Sequence, residues 1–313
     1  MTKMQRRQFN KLLAAGATAL SFRSIFGKAA PQPQLAITMD DFNLFGETDA
    51  EKVANSQAIL SSLRSHKDLK AAAFICGRQV DSAFGKSILQ AWNDAGHSIG
   101  NHTYSHWYYH RRRVEEFEAD ILRCEELIKG YPRFTKLFRF PMLKEGDTLE
   151  RRDKLRAFLK ERGYKMGYVT IDASDWYVDE RLRARLKQDP KADLAGYRKF
   201  YLDHIWERAL YYDDLSQRAL GRSVKHTLLI HHNMLNKLFL GDLLTMFEHK
   251  GWKLVGAQDA YTDPVFDAEP RILPAGESIL WAIAKETRKF ERDLRYPGED
   301  SEYEKPKMDK LGL

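Results

Sequence analysis

The sequence predicts an α/β fold built on a parallel sheet, either a barrel or an open sheet, in one main domain. Two observations predict it. From residue 35 to about residue 256, short apolar runs alternate with segments of helical apolar spacing. Residues able to do chemistry fall just after the apolar runs, where a parallel sheet gathers its C-terminal strand ends on one face. A chain of 313 residues is long enough for a sizeable core. No internal repeat or Pro/Gly-rich linker divides it.

The elements follow in order. Leu35–Met39 is the first strand and ends in Asp40-Asp41. Lys52–Leu63 is a helix with Val53, Ile59, Leu60 and Leu63 on one face. Ala71–Cys76 reads as a buried strand closed by Gly77. Phe84–Ala95 is a helix that Gly96 stops, and Ser98–Asn101 a short strand. Val114–Ile128 is a helix with Phe117, Ile121, Leu122 and Leu127 inward. Phe138–Phe140 is a strand that Pro141 ends, Leu149–Arg162 a helix, and Lys165–Ile171 a strand. Leu194–Ala209 is helical, His226–Ile230 a strand, Leu235–His249 a helix and Trp252–Val255 a strand. The charged stretch Asp179–Arg198 is expected to form a helix-rich lid or rim, because it follows Trp176 directly. Residues 288–313 are dense in charge and read as a tail, loose or a surface helix.

Residues 1–29 read as an export signal. Lys3, Arg6, Arg7, Lys11, Arg23 and Lys28 stand there without an acid, around the apolar run Leu12–Phe22. Arg6-Arg7 followed by Phe9 and Lys11 is similar to a twin-arginine signal, which predicts an exported, periplasmic or extracellular protein. These six cations account for most of the net charge of +7, so the basic balance does not argue for nucleic acid as a partner. No later segment reaches the ~20 apolar residues of a membrane span, and the mature chain is expected to have none. Cys76 and Cys124 make neither a disulfide framework nor a thiolate cluster.

Five strand ends carry the candidate chemistry: Asp40-Asp41, His102 with His106, Arg139, Asp172 with Asp175, and His231-His232. Two histidines four apart can put both imidazoles on one side and bind one metal ion, with Asp40 or Asp41 as a ready carboxylate. Such a set leaves positions open for water and substrate. Adjacent carboxylates can divide labour between metal and proton transfer, and Arg139 could hold the second. A histidine that closes an apolar strand, as His231 does after Leu228-Leu229-Ile230, can protonate a leaving amine, with Asp175 fixing its tautomer.

Together these segments resemble the polysaccharide deacetylases, the NodB-homology carbohydrate esterases. The carriers are Thr38-Met39-Asp40-Asp41, His102-Thr103-Tyr104-Ser105-His106, Arg139-Phe140-Pro141-Met142, Asp172-Ala173-Ser174-Asp175-Trp176 and Leu228-Leu229-Ile230-His231, in the family's order. The resemblance spans roughly residues 35–265 and implies a distorted (β/α) barrel of about seven parallel strands, with the catalytic domain at 30–287. It implies Asp40 as general base, oriented and tuned by Arg139, and His231 as general acid paired with Asp175. It implies Asp41, His102 and His106 as ligands of one divalent metal ion, usually zinc. Trp176, Pro141 and Met142 would bind substrate, the last through its N–H at the oxyanion. Met39 stands where Phe is usual, and Met142 where an aromatic is usual. The implied reaction is hydrolysis of N-acetyl groups on an amino-sugar polymer such as peptidoglycan or chitin. A cyclic or other non-glycan amide is the alternative substrate, and a catalytically weak glycan-binding protein the alternative role.

Overall fold

The computed structural model describes residues 32–46, 48–294 and 301–313. The export signal expected at 1–29 lies outside them. Residues Gln32–Leu313 form one compact unit.

The strands are Gln34–Asp41 (β1), Ala72–Ile75 (β2), Ser98–Asn101 (β3), Phe134–Phe138 (β4), Lys144–Gly146 (β5), Lys165–Met166 (β6), Lys225–His231 (β7), Lys253–Leu254 (β8) and Ala275–Gly276 (β9). The helices are Asp49–Ser65 (α1), Gly77–Val80 (α2), Ala83–Asp94 (α3), Val114–Ile128 (α4), Leu149–Glu161 (α5), Asp175–Gln188 (α6), Ala195–Leu220 (α7), Met234–His249 (α8), Ala257–Ala260 (α9), Ile279–Thr287 (α10) and Glu304–Leu311 (α11). A seven-stranded sheet runs β6-β4-β3-β2-β1-β7, with β8 also on β1, and every pair in it is parallel. Beyond β6, Ile171 bridges Leu228 of β7 in parallel. The segment 165–171 therefore touches β4 at one end and β7 at the other, which curls the sheet into the expected barrel. β5 and β9 form a separate antiparallel ribbon.

Central strands buried on both faces read as continuous apolar runs. Leu35–Met39 of β1 and all of β2 are buried. Helices start where capping chemistry directs them. Thr48 and Glu51 make a capping box at α1, and Ser82, Thr148 and Asn233 accept from the first turns of α3, α5 and α8.

Three expectations shift. The strand expected at Phe138–Phe140 lies at Phe134–Phe138, because Pro141 has no N–H for a ladder and Phe140 leads into a 3-10 turn, Pro141–Leu143. The strand at 165–171 is regular for only two residues. It breaks at Gly167, where a side chain would meet the Phe74 ring at 2.3 Å. The charged stretch 288–313 carries α11, which docks through fully buried Met308.

Candidate active site

The end of β1 sets the first wall. Asp41 and Phe42 take φ of 70° and 59°, so the chain turns sharply as it leaves the strand. Asp40, 2% exposed, points at Arg139, whose Nη1 donates to Asp40 Oδ1 at 2.5 Å. Arg139 is itself locked. Its Nε donates to Gly167 O at 2.7 Å, its Nη2 to Tyr261 Oη at 3.0 Å, and its guanidinium lies 3.9 Å over the Phe74 ring. Fully desolvated pairs of this kind hold geometry tightly, since a broken partner leaves a buried charge.

His102 and His106 follow β3 on a turn rather than a regular helix. Thr103 and His106 adopt φ of 65° and 52°. Asn101 Oδ1, Thr103 Oγ1 and Asp120 Oδ2 accept from the N–H groups of Thr103, His106 and Ser105. His102 Nδ1 lies 2.8 Å from the Arg139 carbonyl, which takes its proton and leaves the Nε2 lone pair facing inward. That Nε2 is 3.4 Å from Asp41 Oδ1, and His106 Nε2 is 3.0 Å from the same oxygen. Asp41 Oδ1 is buried without a hydrogen bond. The three ligand atoms lie within 4.8 Å of one another. An orphaned carboxylate oxygen and an imidazole held in the ligating tautomer fit a divalent cation. Burial pushes the Asp41 carboxyl up, but the two imidazoles and the His231 charge hold it well below the usual carboxylate range.

The opposite wall is built from β7 and the first turn of α6. His231 Nδ1 lies 2.7 Å from Asp175 Oδ1. Asp175 Oδ2 accepts from His231 N at 2.9 Å, Asn233 Nδ2 at 2.9 Å and Asn236 Nδ2 at 2.8 Å. Asn233 thus caps α8 and braces the acid as well. Burial lowers the pKa of His231, yet Asp175 and then Asp41 and Asp40 more than reverse this and push it up to about 10. His232 faces away. Its ring sits 4.9 Å from Phe42 and 5.4 Å from Phe45, its Nδ1 is 3.0 Å from Asn43 O, and burial holds it down at about 4. Of the two histidines, His231 carries the acid geometry.

Between the walls lies a cavity of about 640 Å³. Asp40, Asp41, His102, His106, His231, Trp176 and Met142 all line it. Pro141, expected to bind substrate, is buried and does not line it. Its part is to start the turn that puts Met142, at φ 50° and 41% exposed, on the rim. Arg139 does not line it either and reaches the site through Asp40. Sequence reasoning missed Tyr108, Asn43 and Asp179, which also line the cavity. Asp179 had a readable signal, since it stands one helical turn after Asp175. Burial pushes its carboxyl up to about 6, although the Leu235 N–H donates to it. Glu180 and Arg183 of the charged stretch stand beside it on the rim.

Residues 27–167 match the family model described as polysaccharide deacetylase. A peptidoglycan-N-acetylglucosamine deacetylase of Bacillus cereus is 26% identical over 158 residues, covering 50% of this chain and 50% of that protein. The chain thus spans about half the length of the curated relative it matches. Among solved structures, a mutant of a CE4-family pseudoenzyme from Bacillus anthracis, with restored enzymatic activity, superposes with a TM-score of 0.51 at 18% identity. It covers 74% of this chain and 68% of that one, and the likeness is one of fold. The peptidoglycan deacetylase PdaC from Bacillus subtilis gives a TM-score of 0.48 at 19% identity, over 84% of this chain and 96% of that one. The five motifs meet on one cavity, and the first three of them lie within the stretch that matches the polysaccharide deacetylase model.

Proposed function

We propose that the chain is a metal-dependent deacetylase that hydrolyses N-acetyl groups on an amino-sugar polymer, peptidoglycan or a chitin-like glycan, and releases acetate. The observation that carries this reading is the facing of two dyads, Asp40–Arg139 and His231–Asp175, across the Asp41, His102 and His106 cluster. Those three side chains would hold one divalent cation, and two imidazoles with one carboxylate suit zinc. Bound there, such an ion supplies Lewis acidity that polarises an amide carbonyl and acidifies water.

The chain's own groups supply the remaining steps. Asp40, its rotamer fixed by Arg139, takes the proton of the attacking water. The Met142 backbone N–H, on the rim, donates to the developing oxyanion. His231, whose Nδ1 is tied to Asp175, gives a proton from Nε2 to the departing amine. Trp176 offers an apolar ring for a sugar face, and the cavity's size suits a saccharide unit. The export signal read at 1–29 supports action on a glycan outside the cytoplasm. No helix among the described residues is long and apolar enough to cross a membrane.

The test is acetate release by the chain from Ala30 onward on chito-oligosaccharides and peptidoglycan, with zinc, with chelator, and with Asp40→Asn. Zinc-dependent release abolished in the variant supports the reading. No release from any N-acetylated glycan, with a metal bound, overturns it in favour of a cyclic or other non-glycan amide, or of a binding role.

A further inference from the structure

The loop Asp172–Ser174 connects the barrel to the acid dyad. Asp172 and Ala173 line the cavity, and Ser174 leads directly into Asp175. Two residues of α7, one helical turn apart, grip its backbone from behind. Arg208 Nε donates to Asp172 O at 3.1 Å, and the Ser174 N–H donates to His204 Nε2 at 3.2 Å. A neutral imidazole that accepts at Nε2 carries its proton on Nδ1. His204 Nδ1 faces Glu304 Oε1 at 3.7 Å, where a carboxylate favours that tautomer.

Glu304 is 2% exposed, and a buried carboxyl is costly unless its charge is used. Other contacts also dock α11. Met308 is fully buried, Arg181 Nη1 donates to Asp309 Oδ1 at 2.7 Å, and Lys307 Nζ to Glu207 Oε2 at 3.0 Å. Its surroundings also include the loop's Ser174 and the Arg208 that grips the loop. Burial pushes the Glu304 carboxyl up, and its own N–H, the Ser174 hydroxyl and the Arg208 and Lys307 charges pull it back.

Taking the deacetylase reading as given, we propose that Glu304 is a positioning residue for the reaction, which acts through His204 on the Ser174 amide and so on the Asp175–His231 pair. The charged stretch that contains α11 then belongs to the catalytic framework rather than to a tail. The relay repeats on the outside of the barrel what Asp175 does inside it, a carboxylate that sets the tautomer of a histidine.

The experiment compares Glu304→Ala and Glu304→Gln in the zinc-loaded chain. Glu304→Ala should lower kcat on the order of tenfold with KM within about twofold, because the loop loses its brace but not its sugar contacts. Glu304→Gln should stay within about twofold of wild type, since its amide oxygen can take the place of the carboxylate oxygen that faces Nδ1–H. Hydrogen exchange of peptide 172–178 should quicken in Glu304→Ala and not in Glu304→Gln, while zinc affinity is unchanged in both. If Glu304→Ala does not fold, His204→Phe keeps the ring's stacking on Phe200 and should show the same exchange and kcat loss. Wild-type kcat and exchange in Glu304→Ala overturn the proposal. So does an equal loss in both Glu304 variants together with a lowered Tm, which is the pattern of a structural anchor. If the wild type releases acetate from no glycan, the deacetylase reading fails, and exchange at 172–178 alone decides for or against the relay.

Discussion

The two walls of the cavity differ in what they lack. On the wall of β1 and β3, Asp41 Oδ1 is buried without a hydrogen bond while two imidazoles converge on it. On the wall of β7 and α6, both oxygens of Asp175 are occupied by four donors. The first wall also bends its backbone, with Asp41, Thr103 and His106 all at positive φ, a conformation that costs non-glycine residues of order 1–3 kcal/mol each. None of residues 172–176 or 231–233 does so. One wall is a strained, electrostatically incomplete cluster that a cation would complete. The other is a finished hydrogen-bond network that holds a proton at one atom. A hydrolase needs both, because a transition state gains only from groups already aimed at it.

The sharpest break in this contrast is at its hinge, Asp40. It lies 3.7 Å from His102 and is hydrogen-bonded to Arg139, so it belongs to the first wall by position but needs no cation to be held. Asp40→Asn should cut acetate release by about 10³-fold while leaving zinc binding by calorimetry intact. A loss of zinc binding of the same size would make Asp40 a ligand instead. On the second wall, Asp175→Asn should cost on the order of 10²-fold in kcat, because an amide can present its N–H to His231 and leave the wrong tautomer. Zinc affinity should again be unchanged, whereas His106→Ala should abolish it.

The neighbours His231 and His232 turn the contrast into a pH dependence. His231 is pushed up to about 10, above the ordinary ~6.5, so its contribution to stability is complete below ~6.5 and drains as pH rises towards 10. His232 is held down at about 4, so its contribution is complete above ~6.5 and is lost as pH falls towards 4. In the chelated protein, His231→Gln should flatten the alkaline side of a Tm-against-pH curve. His232→Gln should flatten part of the acid side, which it shares with His97 and His226, both lowered by burial. Thermal unfolding from pH 5 to 9.5 checks both.

How much of this was legible varied with the distance over which it is encoded. Asp40, Asp41, His102, His106 and His231 were readable because each follows an apolar run, and a parallel sheet collects such ends on one face. The barrel's closure was half readable. The run 165–171 looks like one strand, yet Phe74, some 90 residues earlier, forces a glycine at 167 and splits it. The brace on Arg139 was not readable, since Tyr261 stands 122 residues away with no pattern of its own. Nor was the docking of α11, because one buried apolar residue, Met308, disappears in a charged sequence. Local chemistry at strand ends survives reduction to sequence, while the long-range contacts that aim it do not.

The mildest test concerns the rim, where the two walls meet the polymer. Met142 is held at φ 50° by the turn that Pro141 starts, and its side chain is 41% exposed over the cavity. Under the proposed mechanism its two parts have separable tasks: the backbone N–H would face the reaction and the side chain the sugar. Met142→Ala keeps the N–H and the turn. If a bound sugar covers about 40 Å² of the thioether, roughly 25 cal/mol per Å² gives ~1 kcal/mol, or about fivefold in KM. Turnover at saturation should stay within about twofold, since the oxyanion donor is unchanged. A fall in kcat with KM unaltered would place the side chain, not the backbone, at the reacting centre. The proposed division between a wall that would bind a cation, a wall that would hold a proton and a rim that would only grip substrate would then need redrawing.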